Sequence, residues 1–114
     1  MAINMMPDYM YSYGNLGWVF YLKNDFKKCI KYSKKAINLD STAYFAMYNH
    51  ALSTLRLGKI DKARKLYRKY VAVNLKEEED IYHAAISDLK DLIEKDIKAR
   101  EAKYILDNIL TSKQ

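Results

Sequence analysis

Small and apolar residues recur along this chain at the spacing of one helical face. Cys29, Ser33 and Ala36 stand at i, i+4 and i+7; Ala63, Tyr67 and Tyr70 repeat the spacing, and Ala102, Leu106 and Ile109 repeat it again. Residues so spaced share one stripe of a helix, the pattern of helices packed along one side. The polar punctuation between the stripes predicts the elements. A helix runs from about Pro7, tolerated in a first turn, to Leu22. Lys23-Asn24-Asp25 forms a turn, and Asp25 is the N-cap of a second helix reaching about Leu39. Ser41 or Thr42 caps a third helix to about Leu57, where Gly58 supplies the left-handed terminal residue. A fourth helix spans about Lys59 to Val73. Asn74-Leu75-Lys76-Glu77 has capping-box spacing for a fifth, from about Leu75 to Lys95, with acidic residues in its first turn. A sixth covers about Ala99 to Leu110.

The helices pair, and the pairs repeat. Setting Met10–Ala43 on Tyr44–Glu77 without a gap, a period of 34, puts Asn15 on Asn49, Gly17 on Ala51, Tyr21 on Leu55, Phe26 on Ile60, Cys29 on Ala63, Ser33 on Tyr67, Ala36 on Tyr70 and Asp40 on Asn74. Small residues recur where two helices must approach closely, and bulky ones recur beside them. Ala102 follows Ala63 by 39 residues, so the third pair carries an insertion of about five. The reading is one domain over residues 1–114, with repeat one at 10–43, repeat two at 44–77 and a divergent capping helix pair at 78–114.

Tyr13 to Tyr21, followed by Asp25-Phe26 and Ala36-Ile37-Asn38-Leu39-Asp40, resembles a tetratricopeptide (TPR) repeat. The second unit matches through Tyr48-Asn49-His50-Ala51, Leu57-Gly58-Lys59, Ala63 and Tyr67. The closing proline of that family is replaced by Ser41 and by Leu75. The resemblance implies an all-α, TPR-like α-α superhelix (a solenoid) of about three helix pairs, the last one atypical and capping. It implies a non-catalytic protein–protein interaction module or scaffold, whose first helices line a concave groove for a partner peptide or helix.

On that reading the groove residues are Tyr11, Asn15, Trp18, Tyr21, Phe45, Tyr48, Asn49, Leu52, Tyr82 and His83. Asn15, Asn49 and His83 fall at strict 34-residue intervals, and an amide both donates to and accepts from a peptide backbone. The aromatic members bury a large area at low entropic cost, which favours an apolar or helical ligand. Related modules that hold C-terminal carboxylates add Lys and Arg beside such asparagines. Here those places hold Gly14, Trp18, Glu79 and His83, so a carboxylate-clamp function is not expected. Tyr9, Tyr13 and Phe20 are expected on an uncovered outer face, which points to self-association and a homo-oligomer.

Charge adds an alternative. The net charge is +6, but residues 1–73 carry 13 Lys and Arg against 4 Asp and Glu, whereas residues 74–114 carry 7 against 10. Lys27, Lys31, Lys34, Lys62, Lys65, Arg68 and Lys69 make the second helices basic, a face that suits a nucleic-acid-binding accessory module. The plainer reading of that face is a solvated convex surface. No phosphate loop, metal constellation or nucleophile–base pair stands out, so neither enzyme activity, metal nor cofactor is expected. The single cysteine fits a reducing, cytoplasmic setting, and no signal peptide or membrane span is expected.

Overall fold

The computed structural model describes residues 2–74 and 79–110, with side chains from 9 to 73 and from 79 to 110. Among the described residues the chain is helical, with no strand: α1 (Ala2–Leu22), α2 (Phe26–Leu39), α3 (Tyr44–Arg56), α4 (Ile60–Asn74), α5 (Glu79–Glu94) and α6 (Ala99–Ile105) follow one another, and Leu106–Leu110 extends α6 as a π-helical turn. It has the architecture of a TPR-like helical repeat. The chain divides into two compact units, Met1–Ser53 and Thr54–Gln114, and the division falls within α3.

In the first unit α1 packs on α2 through small residues. A Cβ added to Gly17 would lie 3.0 Å from the Ser33 hydroxyl and 3.2 Å from the Cys29 carbonyl, so the two backbones approach closely at this point. Cys29, Ser33 and Ala36 are all fully buried, as their spacing predicts. Met10, Ala36, Ala43 and Ala46 form a small buried cluster, flanked by Tyr13, Ile37, Leu39 and Phe45.

The same device ends a helix three times. At the α1–α2 turn, Asp25 N–H donates to the Phe20 carbonyl (2.8 Å) and Asn24 N–H to that of Tyr21 (2.9 Å), with Asn24 at φ 64°. At the end of α3, Lys59 N–H reaches Thr54 (3.2 Å) and Gly58 N–H reaches Leu55 (2.9 Å), with Gly58 at φ 82°. After α5, Ile97 N–H reaches Leu92 (2.9 Å) and Asp96 N–H reaches Ile93 (3.1 Å), with Asp96 at φ 56°. Each is the paired 6→1 and 5→2 closure of a Schellman motif, which satisfies carbonyls that a helix end would otherwise orphan. Asn24 and Gly58 are 34 positions apart, and Asp96 follows Gly58 by 38, so the third pair is lengthened before its turn.

Asp25 caps α2 as expected, its carboxylate accepting from Lys28 N–H at 3.2 Å. The cap of α3 differs from expectation. The Thr42 hydroxyl donates to the Asp40 carboxylate (2.6 Å), which also takes Thr42 N–H (2.8 Å). With that hydroxyl committed backwards, the first α3 bond runs from Met47 N–H to the Ala43 carbonyl (3.1 Å). Two further boundaries shift. Helix α1 starts ahead of Pro7, since a proline near a helix start removes one donor from the ladder without ending it. The last helix changes pitch at Leu106, where the Tyr82 hydroxyl donates to the Leu110 carbonyl. The expected capping box at Asn74–Glu77 lies outside the described side chains.

The second unit packs α4, α5, α6 and the π turn around Leu89, Leu92, Ala102, Ile105, Ile109 and Leu110, each 2% exposed or less. The Arg64 guanidinium lies 3.8 Å from the centroid of the Tyr104 ring, tying α4 to α6 by a cation–π contact.

Candidate functional site

Three parallel stripes run along α1. Met10, Gly14, Gly17 and Tyr21, at i, i+4, i+7 and i+11, are buried. Tyr9, Tyr13, Leu16 and Phe20 make a stripe on one flank, and Tyr11, Asn15, Trp18 and Leu22 make one on the other. The flanks are not polar. From 9 to 22 the helix contains no charged residue, and Tyr9, Tyr11, Leu16, Val19 and Leu22 are all exposed, Leu22 by 64%. A helix that is apolar nearly all round calls for burial on more than one side. No described helix is long and apolar enough to cross a membrane.

The Tyr11 flank gathers four of the expected groove residues into one surface. The Tyr11 ring stacks on Phe45 of α3 (centroids 5.7 Å apart, planes 14° apart), and Trp18 stacks on Tyr21 (4.7 Å, 7°). Phe45 lies directly over Gly14: a Cβ on that glycine would meet the ring edge at 2.2 Å. The absent side chain therefore gives the ring its place. Asn15 is exposed between Tyr11 and Trp18, and Trp18 and Phe45 are half-buried. The result is an uncharged shelf of three aromatic rings with one free amide in its middle.

The other expected residues are placed differently. Tyr21, Tyr48, Asn49 and Leu52 are buried, Leu52 to 1% exposure, and the Asn49 carbonyl receives the Cys29 thiol at 3.8 Å. In the second unit Tyr82 is 3% exposed and its hydroxyl is held by Leu110, whereas His83 is exposed, 3.5 Å from Glu79. Asn15, Asn49 and His83 thus share a sequence interval but not an environment. Lys27, Lys31 and Lys34 in the first unit, and Lys62, Lys65, Arg68 and Lys69 in the second, are all exposed.

Lysines also border the Tyr9–Tyr13–Phe20 face, on which Tyr9 is exposed and Tyr13 and Phe20 are half-buried. Tyr32 of α2 lies nearly parallel to both Tyr13 (6.1 Å, 13°) and Phe20 (5.5 Å, 10°). Lys28 stands over Phe20 (5.2 Å), Lys31 over Tyr32 (5.7 Å), and Lys35 over Tyr13 and Tyr32 (5.4 and 5.5 Å). The signal was present as Lys28, Lys31 and Lys35 at i, i+3 and i+7 beside Tyr32.

Burial pushes the Cys29 thiol above its ordinary pKa, with hydrogen bonds to Ser53 and Ser33 opposing the rise, so it is a poor nucleophile. Among the described residues no group of three or more His, Cys, Asp or Glu side chains is arranged to hold a metal ion.

Residues 11–42 match the model of the tetratricopeptide repeat family. The matched stretch is the α1–α2 pair from Tyr11 to the turn after Leu39. Neither curated proteins nor solved structures gave a match.

Proposed function

We propose that this chain, which matches the tetratricopeptide repeat family over residues 11–42, is a protein-interaction module whose first unit receives a partner segment on the Tyr11–Asn15–Trp18–Phe45 shelf. Repeats of this family are generally protein–protein interaction modules and are typically non-enzymatic scaffolds. The observation that carries the proposal is the shelf itself: three stacked, part-exposed rings around an exposed amide, on a helix face without charge. Rings of this kind supply area without much loss of rotamer freedom, and Asn15 supplies one donor and one acceptor for a backbone. The ligand that fits is an uncharged or apolar segment, extended or helical. Tyr48, Asn49 and Leu52 act in this reading as the packed support of the shelf.

Trp18 is the sole tryptophan, so binding has a built-in reporter. Partners captured from lysate by the wild-type chain should be lost with Tyr11→Ala/Asn15→Ala, and adding a purified partner should shift Trp18 emission to the blue. An unchanged set of captured proteins on a folded double variant would refute the shelf as the binding surface.

A further inference from the structure

The opposite flank of α1 is a second surface with different chemistry. We propose that the face built from Tyr13, Leu16, Phe20 and Tyr32 docks an acidic amphipathic helix from another protein, with Lys28, Lys31 and Lys35 pairing its carboxylates. The proposal is independent of the shelf.

The centre of this face is apolar. Tyr13 and Phe20 lie one to each side of Tyr32 in nearly parallel planes, and Leu16, 37% exposed, stands between them along α1. Tyr9 extends the stripe at its N-terminal end and is 48% exposed. From Tyr9 to Phe20 the stripe is about 16 Å long at the α-helical rise, which matches roughly three turns of a partner helix.

One border of the face is cationic, and among the described residues its counter-ion is Asp25, 4.0 Å from Lys28. Lys28, Lys31 and Lys35 project along α2 with their amines 5.2 to 5.7 Å from the ring centroids. Neither α1 from residue 9 onward nor α2 contains an acidic residue. Asp25, the N-cap, shares its carboxylate between the Lys28 N–H and the Lys28 amine, which leaves Lys31 and Lys35 without a described ion pair. An incoming helix with apolar residues at i, i+3/i+4 and i+7 and Glu or Asp beside them satisfies both halves of the surface. Complementary charge of this kind sets partner choice and orientation more than raw affinity.

Two other occupants fit less well. A second copy meeting this face symmetrically would bring its own lysine row against the first, because a two-fold interface opposes the same patch to itself. A single-stranded nucleic acid would use the lysines and the rings but would leave Leu16 and Val19, 43% exposed, against phosphate and sugar.

The test uses the full chain and two dye-labelled synthetic helices sharing one leucine stripe, one with Glu and one with Lys at the remaining positions. Anisotropy titrations should show the Glu helix binding the wild-type chain and the Lys helix failing to bind. Lys31→Glu/Lys35→Glu, with helicity verified by circular dichroism, should reverse that preference and weaken the Glu helix by about tenfold or more. Leu16→Asn, which leaves the charges intact, should weaken the Glu helix as well. Equal binding of the two helices by the wild type, or Glu-helix affinity unmoved by either variant, overturns the proposal. So does tight capture of an oligothymidine that competes for this face, or a dimer in sedimentation that Leu16→Asn dissolves.

Discussion

Asp88 is the side chain whose chemistry its surroundings change most. It lies on α5, half-buried, and desolvation, helped by the nearby charge of Asp91, pushes its carboxyl up to about 6. Asp91 itself is 3.1 Å from Lys95, so that cation is already engaged. Burial without a partner disfavours the charged form. Between about pH 4, the ordinary carboxyl range, and pH 6, the folded chain holds a proton there that the unfolded chain has released. Stability therefore falls as pH rises through that window, by ~3 kcal/mol at most for this one group. Asp88→Asn keeps the shape and removes the titration. Urea midpoints at pH 4.5 and pH 7 should differ less in the variant than in the wild type, and the variant should be the more stable at pH 7. An identical pH slope in both would show that Asp88 ionises normally. Cys29 is shifted the same way, a thiol that burial holds neutral, and its place opposite Ala63 in the repeat alignment already marked it as a packing residue.

At the scale of the element, the three Schellman turns set the geometry of the helix pairs, and they do so with three different residues. Gly58 takes its left-handed backbone without cost, while Asn24 and Asp96 accept it with a side chain in place. Gly58→Ala should lower stability by about 1 kcal/mol, and Asp96→Gly should raise it by a fraction of that, both read as shifts in denaturation midpoint. A neutral Gly58→Ala would mean that the turn is not held in this conformation. Gly58, the Asp25 cap and the buried seam of Cys29, Ser33 and Ala36 were all legible from spacing and residue type. The Thr42 cap was not, because a hydroxyl at a helix start can turn back to an aspartate two residues earlier as readily as forward to a helix N–H. Nor was the change of pitch after Ile105, where the turn closes on a Leu110 carbonyl that accepts from Tyr82, 28 positions away in sequence.

For the molecule as a whole, periodicity revealed the helices and their pairing more fully than it revealed the surface. A 34-residue interval places Asn15, Asn49 and His83 at equivalent points, yet only the first and last are exposed. Which members of a repeated position stay open depends on neighbours, and neighbours differ from one pair to the next. The aromatic flanks of α1 were harder to assign from sequence, since a helix rich in tyrosine reads equally as core or as surface until the small residues that seat α2 and Phe45 are in view.

The brevity of the turns has a kinetic consequence. Asn24 reverses the chain between α1 and α2 with only three residues outside helix, and Gly58 does so between α3 and α4 with three more. Closing such loops costs little entropy, and helical pairs built on contacts close in sequence cross their folding barrier quickly. Refolding followed by Trp18 emission should be complete within about milliseconds, the range of proteins dominated by local contacts. A dominant phase of seconds would show that contacts far apart in the chain limit the rate. Loop closure of this kind also lets the first unit spend its small residues on a seam and leave Tyr9 and Tyr11 outward, because the pair is assembled by proximity along the chain.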